Sequence, residues 1–311
     1  MLDYTFVVDF LFMWIRVATP ILLASLGAVI CEKSGVVNLG LNGIMLISAL
    51  AGVLGSGYGG NLFWGIAAGV GSALIVSGLF AYFHLVLKAN AVLCGTAINT
   101  MAGGLTVFVL QLATGEKGTS SSIKSAVFPT IHIPIIKDIP ILGDVLSGHN
   151  ALTYFALLMV VLLSIFLYKM PMGLRIRAVG ENPNAAASVG LNVIRIRFLS
   201  IILCGILVGL GGMYLSMGYL SMFTRDMVAG RGFIALAACA MGQATPVGSL
   251  ISSAVFSFFD GLSNVLQMLR IPSEFIQMLP YIATIFGLTI YSIQKIRLQK
   301  KKSKEIEKNV I

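Results

Sequence analysis

Long apolar stretches separated by short polar segments make up most of this chain. A helix needs about 20 apolar residues to cross a bilayer. Five stretches meet this length: 61–87, 91–114, 150–169, 198–222 and 275–293. The first apolar stretch is interrupted by Arg16 and Pro20, and proline disrupts the interior of a helix. We therefore expect residues 17–31 to lie in the membrane and residues 1–16 to form an oblique or interfacial approach to it.

Two further apolar segments, 36–55 and 232–243, are short and rich in glycine. A helix over the second segment would be about 18 Å long, whereas the hydrocarbon core of a bilayer is about 30 Å thick. Residues 36–52 resemble residues 228–242, because each combines a glycine-rich start with a short apolar run. Such segments at matching places in two halves indicate a transporter built as an inverted repeat. Chance similarity between apolar strings is the alternative.

Composition places the chain among membrane proteins. It is 57% hydrophobic and 11% charged, whereas a soluble domain carries about 25% charged residues. The net charge is +9, but twelve of the 21 Lys and Arg residues lie within 169–197 and 295–311. Basic residues beside apolar spans mark the cytoplasmic side. Aromatic residues, which nucleic-acid surfaces place among their basic residues, are scarce in both segments, so a nucleic-acid partner is not expected.

The charge distribution predicts the topology. Residues 170–197 form a cytoplasmic loop, residues 294–311 a basic cytoplasmic tail, and residues 115–149 an extracytoplasmic loop. We expect one all-α polytopic membrane domain over 1–311, with about nine (8–10) transmembrane helices, an outside N-terminus and short or broken central helices. Glycines spaced four apart, at 65 and 69 and at 205 and 209, predict close helix packing.

One basic and polar segment, 175–197, interrupts the apolar pattern. Asn182 can cap a helix that begins at Pro183, since proline at the first helical position loses no needed donor. The next residues provide about two turns, and Gly190 is a natural stop. Three consecutive alanines in this helix predict a small, smooth surface that fits a groove on a partner. An ordinary cytoplasmic connector helix is the alternative.

Three motifs resemble those of the permeases of bacterial ABC importers of the branched-chain amino acid/simple sugar superfamily. GENPNAAASVGLNV at 180–193 resembles the cytoplasmic coupling loop, EKSGVVNLGLNGIML at 32–46 an early signature, and GRGFIALAA at 230–238 a late one. The resemblance extends over 16–292 and is greatest to the shorter of two paired permeases in nucleoside importers. Asn42 departs from the pattern, which leads us to expect Glu at this position.

The resemblance implies that separate ATPases, which hold ATP and Mg²⁺, push on the coupling loop and switch the permease between outward and inward openings. The chain is then a translocation subunit and not an enzyme, and it binds no cofactor or metal itself. The expected partners are ABC ATPase subunits, a second permease (a different chain or an identical copy), an extracytoplasmic substrate-binding lipoprotein and the lipid of the bacterial cytoplasmic membrane. The ATPase-coupling residues are Gly180, Glu181, Asn182, Pro183, Asn184, Ala185, Ala186, Ala187 and Gly190.

The candidate residues of the translocation pathway are Asn38, Asn42, Asn99 and Phe233. The three amides lie in glycine-rich apolar helices, where each can bond a ribose hydroxyl or a base edge. Each amide can equally bond a neighbouring helix, which contributes about 0.6–1.7 kcal/mol. A path lined by Asn, Ser and Gly suits a neutral nucleoside. A ribose-type simple sugar and a branched-chain amino acid are the alternatives.

A rival of a different class is an ion-coupled secondary transporter, which needs a carboxylate deep in the membrane. Asp260 is the only candidate for that role. Because charged groups are costly in the bilayer, we expect Arg16, Glu32 and Asp260 to be paired within the protein. The segment 118–125 is no P-loop, since Ile123 occupies the position where the second glycine of that motif must lie.

Overall fold

The computed structural model describes residues 4–132 and 142–267, together with 278–280, 282–287, 289 and 292–293. This part of the chain is mostly helical, as the apolar pattern predicts. The elements are α1 (Tyr4–Lys33), α2 (Leu41–Gly59), α3 (Leu62–Ala81), α4 (Ala91–Thr114), β1 (Thr130–Ile131), α5 (Leu142–Leu146), β2 (His149–Asn150), α6 (Ala151–Lys169), α7 (Pro171–Glu181), α8 (Pro183–Ser188), α9 (Val193–Met213), α10 (Arg231–Met241) and α11 (Pro246–Leu266). Helices α3 and α9 continue as π-helices, Tyr82–Val86 and Tyr214–Tyr219.

Seven of the described helices are long and apolar enough to cross a membrane, namely α1, α2, α3, α4, α6, α9 and α11. The short segment predicted at 232–243 forms α10, whose 11 residues extend about 16 Å. The span expected at 275–293 is described only at 278–280, 282–287, 289 and 292–293, and the basic tail 294–311 lies outside the described residues. Polytopic helical architecture is thus confirmed, while the number nine stays a prediction.

Two boundaries differ from the expectation. Helix α1 is continuous from Tyr4 to Lys33 through Pro20, so the interruption expected at Arg16 and Pro20 is absent, while the position of residues 1–16 relative to the membrane stays a prediction. The guanidinium of Arg16 stacks over the ring of Tyr219 at 4.8 Å, and its Nη2 donates to the carbonyl of that residue at 3.4 Å. The segment expected to be short at 36–55 instead forms α2, a full-length helix that begins at Leu41.

Asparagine and threonine caps set where many helices begin. The side chains of Asn61, Asn90, Asn150, Asn192 and Thr245 accept hydrogen bonds from the first free backbone amides of α3, α4, α6, α9 and α11. Such caps satisfy donors that have no partner inside the helix. The helix starts are therefore encoded locally, by side chains next to each apolar run.

Helices α1 and α9 pack against each other at the centre of the bundle, and α2, α3, α10 and α11 surround them. The glycine pairs allow the close approach that their spacing predicts. A Cβ on Gly209 would lie 2.6 Å from that of Ala73, and one on Gly65 would lie 2.8 Å from that of Ser56. These distances are shorter than ordinary van der Waals contact, so the packing prediction is confirmed.

One end of the bundle carries α7 and α8 and is here named the α8 end. Helix α6 connects it to the opposite end, where the loops after α4 and α9 pair with each other. Ser120 donates its backbone N–H to the carbonyl of Phe223, and Arg225 donates its own to the carbonyl of Gly118. A structured layer therefore covers this end; residues 133–141 of the loop lie outside the described residues.

His149 is buried in this layer, with 2% of its surface exposed. Its Nε2 lies 2.7 Å from the carbonyl oxygen of Val145, and its ring stacks on Phe12 at 4.1 Å. Burial lowers the pKa of His149, the positive charge of Arg16 lowers it further, and the hydrogen bond to Val145 opposes both effects. The neutral imidazole is therefore the form that fits this layer.

Candidate coupling surface and pathway residues

Helix α8 has the boundaries that the sequence predicts. The side chain of Asn182 accepts from the backbone N–H groups of Asn184 and Ala185, both at 3.1 Å, and Pro183 is the first helical residue. Gly190 has φ +84°, a left-handed conformation that glycine adopts without steric cost. Local sequence thus fixes a two-turn helix in a defined position between α7 and α9.

The exposed face of α8 is narrower than the sequence indicates. Ala186 is only 4% exposed, and its carbonyl accepts from the N–H of Leu191, so this residue packs into its own chain. The expectation that all three alanines face a partner is therefore wrong for Ala186. The residues of this segment that are exposed are Glu181, Asn182, Asn184, Ala185, Ala187, Ser188, Val189 and Gly190.

Gly180 connects this loop to the end of α1. A Cβ at this position would overlap the carbonyl oxygen of Lys33 and would lie 3.1 Å from the backbone N of Gly35. Arg197 adds a second link, since its Nε donates to the carbonyl of Ser34 at 3.2 Å. The end of α7 and the end of α1 are therefore in direct backbone contact, with no space for a side chain between them.

A cavity of about 460 Å³ lies where the ends of α1, α7 and α10 meet. Its polar walls are formed by Glu32, Lys33, Arg177, Glu181 and Gln243. On one wall the thiol of Cys239 donates to Oε2 of Glu32 at 3.1 Å. Sequence reasoning did not find this cavity, because its walls come from segments about 60 to 150 residues apart and carry no common motif.

The two glycine-rich signatures meet at the start of α2 and α10. A Cβ on Gly232 would lie 2.5 Å from the backbone N and 2.6 Å from the Cα of Asn42. Asn38 is buried, and its Oδ1 accepts from the N–H of Gly40 at 2.9 Å. Its Nδ2 and the Oδ1 of Asn42 are buried without a hydrogen-bond partner among the described residues. A free donor and a free acceptor therefore lie next to this helix junction.

The other two pathway candidates lie in different surroundings. Asn99, on α4, uses both amide atoms within the protein: its Oδ1 accepts from the N–H of Gly43 at 2.7 Å, and its Nδ2 donates to the carbonyl of Leu39 at 2.9 Å. The structure thus shows for Asn99 the helix-to-helix contact that was the alternative for all three amides. Phe233 lies in the first turn of α10 and is 42% exposed.

Asp260 forms an ion pair with Arg231, as expected. Nε and Nη2 of Arg231 each lie 3.0 Å from Oδ2 of Asp260. The pair joins the start of α10 to α11, at a point about 21 Å along α11 from Pro246. Glu32 contributes to the cavity wall. Asp260 is therefore held by a permanent cation, which weakens the interpretation of this carboxylate as an ion-coupling group.

The helices, the short α10 and the glycine-stopped α8 define a polytopic membrane permease. A family profile described as branched-chain amino acid transport system, permease component, matches residues 10–288. The chain belongs to this family.

Two curated relatives match most of the chain. The guanosine ABC transporter permease protein NupQ of Bacillus subtilis is 36% identical over 288 residues, which is 88% of each chain. The nucleoside ABC transporter permease protein NupC of Lactococcus lactis is 33% identical over 285 residues, which is 88% of this chain and 89% of the relative. These similarities confirm the resemblance on which the coupling and pathway expectations rest.

The fold is also similar to a solved structure, an inward-facing conformation of an ABC transporter assigned to the metal-chelate type. The TM-score is 0.51 at 18% identity, over 90% of this chain and 84% of that chain. This similarity shows the fold alone. It agrees with the helical permease architecture described above.

Proposed function

We propose that this chain is the membrane permease subunit of an ATP-driven importer for nucleosides. The observation that carries the proposal is the similarity to two relatives that are named as guanosine and nucleoside permeases and that match 88% of this chain. The uncharged side chains of Asn38 and Asn42 at the α2–α10 junction suit a neutral solute, although Asn42 departs from the family pattern, which leads us to expect Glu.

The coupling path begins at the exposed face of α8, at Ala185, Ala187 and Val189. A partner ATPase contacts this face and moves α8 together with α7. Gly180 transmits the displacement to the end of α1, since the two backbones are in direct contact there. The movement then reaches α2 and α10 through the connection 34–40.

The substrate passes the junction of α2 and α10. An unsatisfied buried polar group costs about 1–3 kcal/mol, so the Nδ2 of Asn38 and the Oδ1 of Asn42 gain from a solute that offers an acceptor and a donor. A nucleoside offers both on its base and on its ribose. Asn99 holds the junction in place through α4, and Phe233 adds an apolar surface at the first turn of α10.

The assembly that follows from this proposal contains four kinds of chain. Separate ABC ATPases hold ATP and Mg²⁺ and hydrolyse ATP, while this chain binds no cofactor. A second permease, for which we propose a different chain rather than an identical copy, completes the pathway. A substrate-binding lipoprotein delivers the solute to the opposite end, and the α8 end and the C-terminus lie in the cytoplasm of a bacterial cell.

Uptake of labelled solutes tests the substrate class. Cells that lack the chain and cells that carry it are compared for uptake of labelled guanosine, uridine, ribose and leucine. We expect chain-dependent uptake of guanosine or uridine that stops when cellular ATP is depleted. Chain-dependent uptake of ribose or leucine alone contradicts the nucleoside proposal, and uptake that persists without ATP contradicts the importer proposal.

A substitution on α8 tests the coupling role. Ala187 is exposed on α8, whereas Ala186 is buried and is unsuitable for this purpose. Ala187→Arg places a long charged side chain on the proposed contact face, and we expect it to abolish uptake while membrane insertion is unchanged. Ala187→Ser keeps the residue small and is the matched control. Wild-type uptake by the arginine variant rules out contact at this face.

A further inference from the structure

The cavity between the ends of α1, α7 and α10 is an open, polar cleft that is large enough for a small molecule. Its volume of about 460 Å³ lies within the range of about 300–1,000 Å³ that is typical of ligand pockets. It is separate from the α2–α10 junction, because the length of α10, about 16 Å, lies between them. It adjoins the coupling segment, since Gly180 and Glu181 line it, but the exposed α8 residues Ala185, Ala187 and Val189 do not.

We propose that this cavity binds the transported solute, a neutral nucleoside, from the α8 end, and that its occupancy slows further ATP-driven import. This inference rests on the proposed function for the identity of the solute.

The charges of the walls favour a neutral ligand with many hydrogen-bonding groups. Glu32 and Glu181 are balanced by Lys33 and Arg177, and Gln243 adds one amide. The carboxylates can accept from the amino and imino groups of a base edge, while the cations and the amide can serve hydroxyl and carbonyl oxygens. Lys33 and Arg177 would attract the phosphate of a nucleotide while Glu32 and Glu181 would repel it, so the balanced charges give a nucleotide no net gain over a neutral nucleoside.

Two of the wall residues are oriented by other contacts. The guanidinium of Arg177 lies over the ring of Tyr168 at 4.8 Å, and Oε2 of Glu32 accepts from the thiol of Cys239 at 3.1 Å. Groups that are held in place before the ligand arrives lose less conformational freedom on binding. A planar guanidinium also offers a face on which a base can stack.

Backbone strain marks the same wall. Gln243 and Ala244 have φ +57° and +49°, and two consecutive residues with a side chain rarely adopt this left-handed conformation. The N–H of Ala244 is fixed by a 2.9 Å bond to the carbonyl of Cys239. Strained residues cluster at ligand sites and switch regions. Here they connect α10 to α11 directly opposite the end of α7.

Occupancy of the cavity opposes the coupling movement. Helix α7 continues through Asn182 into α8, so a ligand that contacts both α7 and the end of α10 bridges the driven element and the pathway element. A ligand that binds one arrangement of these helices more tightly shifts the equilibrium toward it. If the ATP-driven movement of α7 weakens the contacts of the bound ligand, then the bound ligand disfavours that movement by the same free energy. Accumulated product would therefore limit its own import.

The test uses the complete transporter in proteoliposomes, with the ATPases facing the medium and with the binding protein and labelled guanosine in the lumen. Unlabelled guanosine is added to the medium, and the rate of ATP-dependent transport is measured. We expect inhibition, with the half-inhibitory concentration raised at least tenfold by Arg177→Gln and by Gln243→Ala. Arg175→Gln, an exposed change on the same helix, is the matched control. Leucine is expected to be without effect, and GMP is expected to inhibit no more strongly than guanosine.

Binding is measured independently on the permease–ATPase complex without the binding protein, by equilibrium dialysis with labelled guanosine. Binding that Arg177→Gln and Gln243→Ala weaken supports the proposal. Absence of binding, or absence of inhibition in an otherwise active transporter, overturns it and leaves the proposed function intact. A third outcome is that both variants transport more slowly even without added guanosine, while inhibition by guanosine is unchanged. This outcome assigns the cavity to ATPase docking and also overturns the proposal. Failure of the proposed function itself is recognised separately, by the uptake assay.

Discussion

The ion pair between Arg231 and Asp260 provides the sharpest test of the packing around α10. The two side chains are 17% and 12% exposed, and two guanidinium nitrogens lie 3.0 Å from the same carboxylate oxygen. Arg231→Met removes the cation and leaves the carboxylate of Asp260 largely buried without a counter-charge. Loss of one partner of a buried pair costs about 3–5 kcal/mol.

The double variant Arg231→Met/Asp260→Leu separates this cost from the value of the pair itself. It removes both charges and replaces them with apolar groups, which is often neutral in buried sites. An unfolding entropy of about 2.1 cal/mol/K per residue gives about 0.65 kcal/mol per degree for 311 residues. The single variant should therefore lower the unfolding midpoint by about 5–8 °C, and the double variant should lie within about 2 °C of the wild type.

The assay is the fraction of detergent-purified protein that remains monodisperse after heating, measured by size-exclusion chromatography. Arg225→Met, which changes an exposed arginine in the loop before α10, is the matched control and should leave the midpoint unchanged. If the single and double variants are destabilised equally, the two charges do not stabilise each other. The assignment of Asp260 as a structural partner of Arg231 would then be wrong.

Three further predictions concern other parts of the bundle. Gly180→Ala places a Cβ 2.8 Å from the carbonyl carbon at the end of α1. This contact should lower the stability of the protein by about 1–3 kcal/mol and should lower the amount of guanosine taken up per ATP hydrolysed. Gly103→Ala, in open space on α4, should change neither the stability nor the uptake. Asn99→Leu leaves two backbone groups at the start of α2 without hydrogen-bond partners and should lower stability by about 1–3 kcal/mol per group. The loss is measured as a shift of the same heating midpoint. Thr96→Val, on an exposed face of α4, is the control and should have little effect. Burial lowers the pKa of His149 in the folded protein, so the unfolded chain binds a proton at this residue more readily than the folded chain does. The stability that His149 contributes is therefore fully present above about pH 6.5, the pKa of an exposed histidine. It is lost as the pH falls from that value through the lower pKa of the folded state. His149→Gln should flatten the dependence of the midpoint on pH below about 6.5, and an unchanged slope would contradict the assignment.

Elements with local signals were predictable. Asn182, Pro183 and Gly190 determine helix α8 almost by themselves, because a cap, a pre-set φ angle and a left-handed stop act within one or two turns of the residue that provides them. The membrane spans follow from runs of apolar residues for a similar reason, since burial in lipid depends on each segment's own composition.

Features that depend on distant neighbours were missed. Arg16 and Pro20 indicated a broken first helix, yet α1 is continuous through both residues, and the ring and carbonyl of Tyr219, about 200 residues away in sequence, accommodate the guanidinium. Ala186 carries the same side chain as its two neighbours, and only the packing of α8 on its own chain decides that it is buried. The start of α2 was also misplaced, since no cap precedes it.

The sequence by itself determined that this chain is a polytopic helical permease, where most of its helices begin and end, and which residues form helix α8. These properties result from interactions within a few residues of each other, or from the partition of one segment between water and lipid. The tertiary structure decided that Gly180 lies against the end of α1, that Arg231 pairs with Asp260, and that a charged cavity opens where α1, α7 and α10 meet. Such contacts join segments far apart in the chain, and their energies depend on distances that only the packed bundle defines.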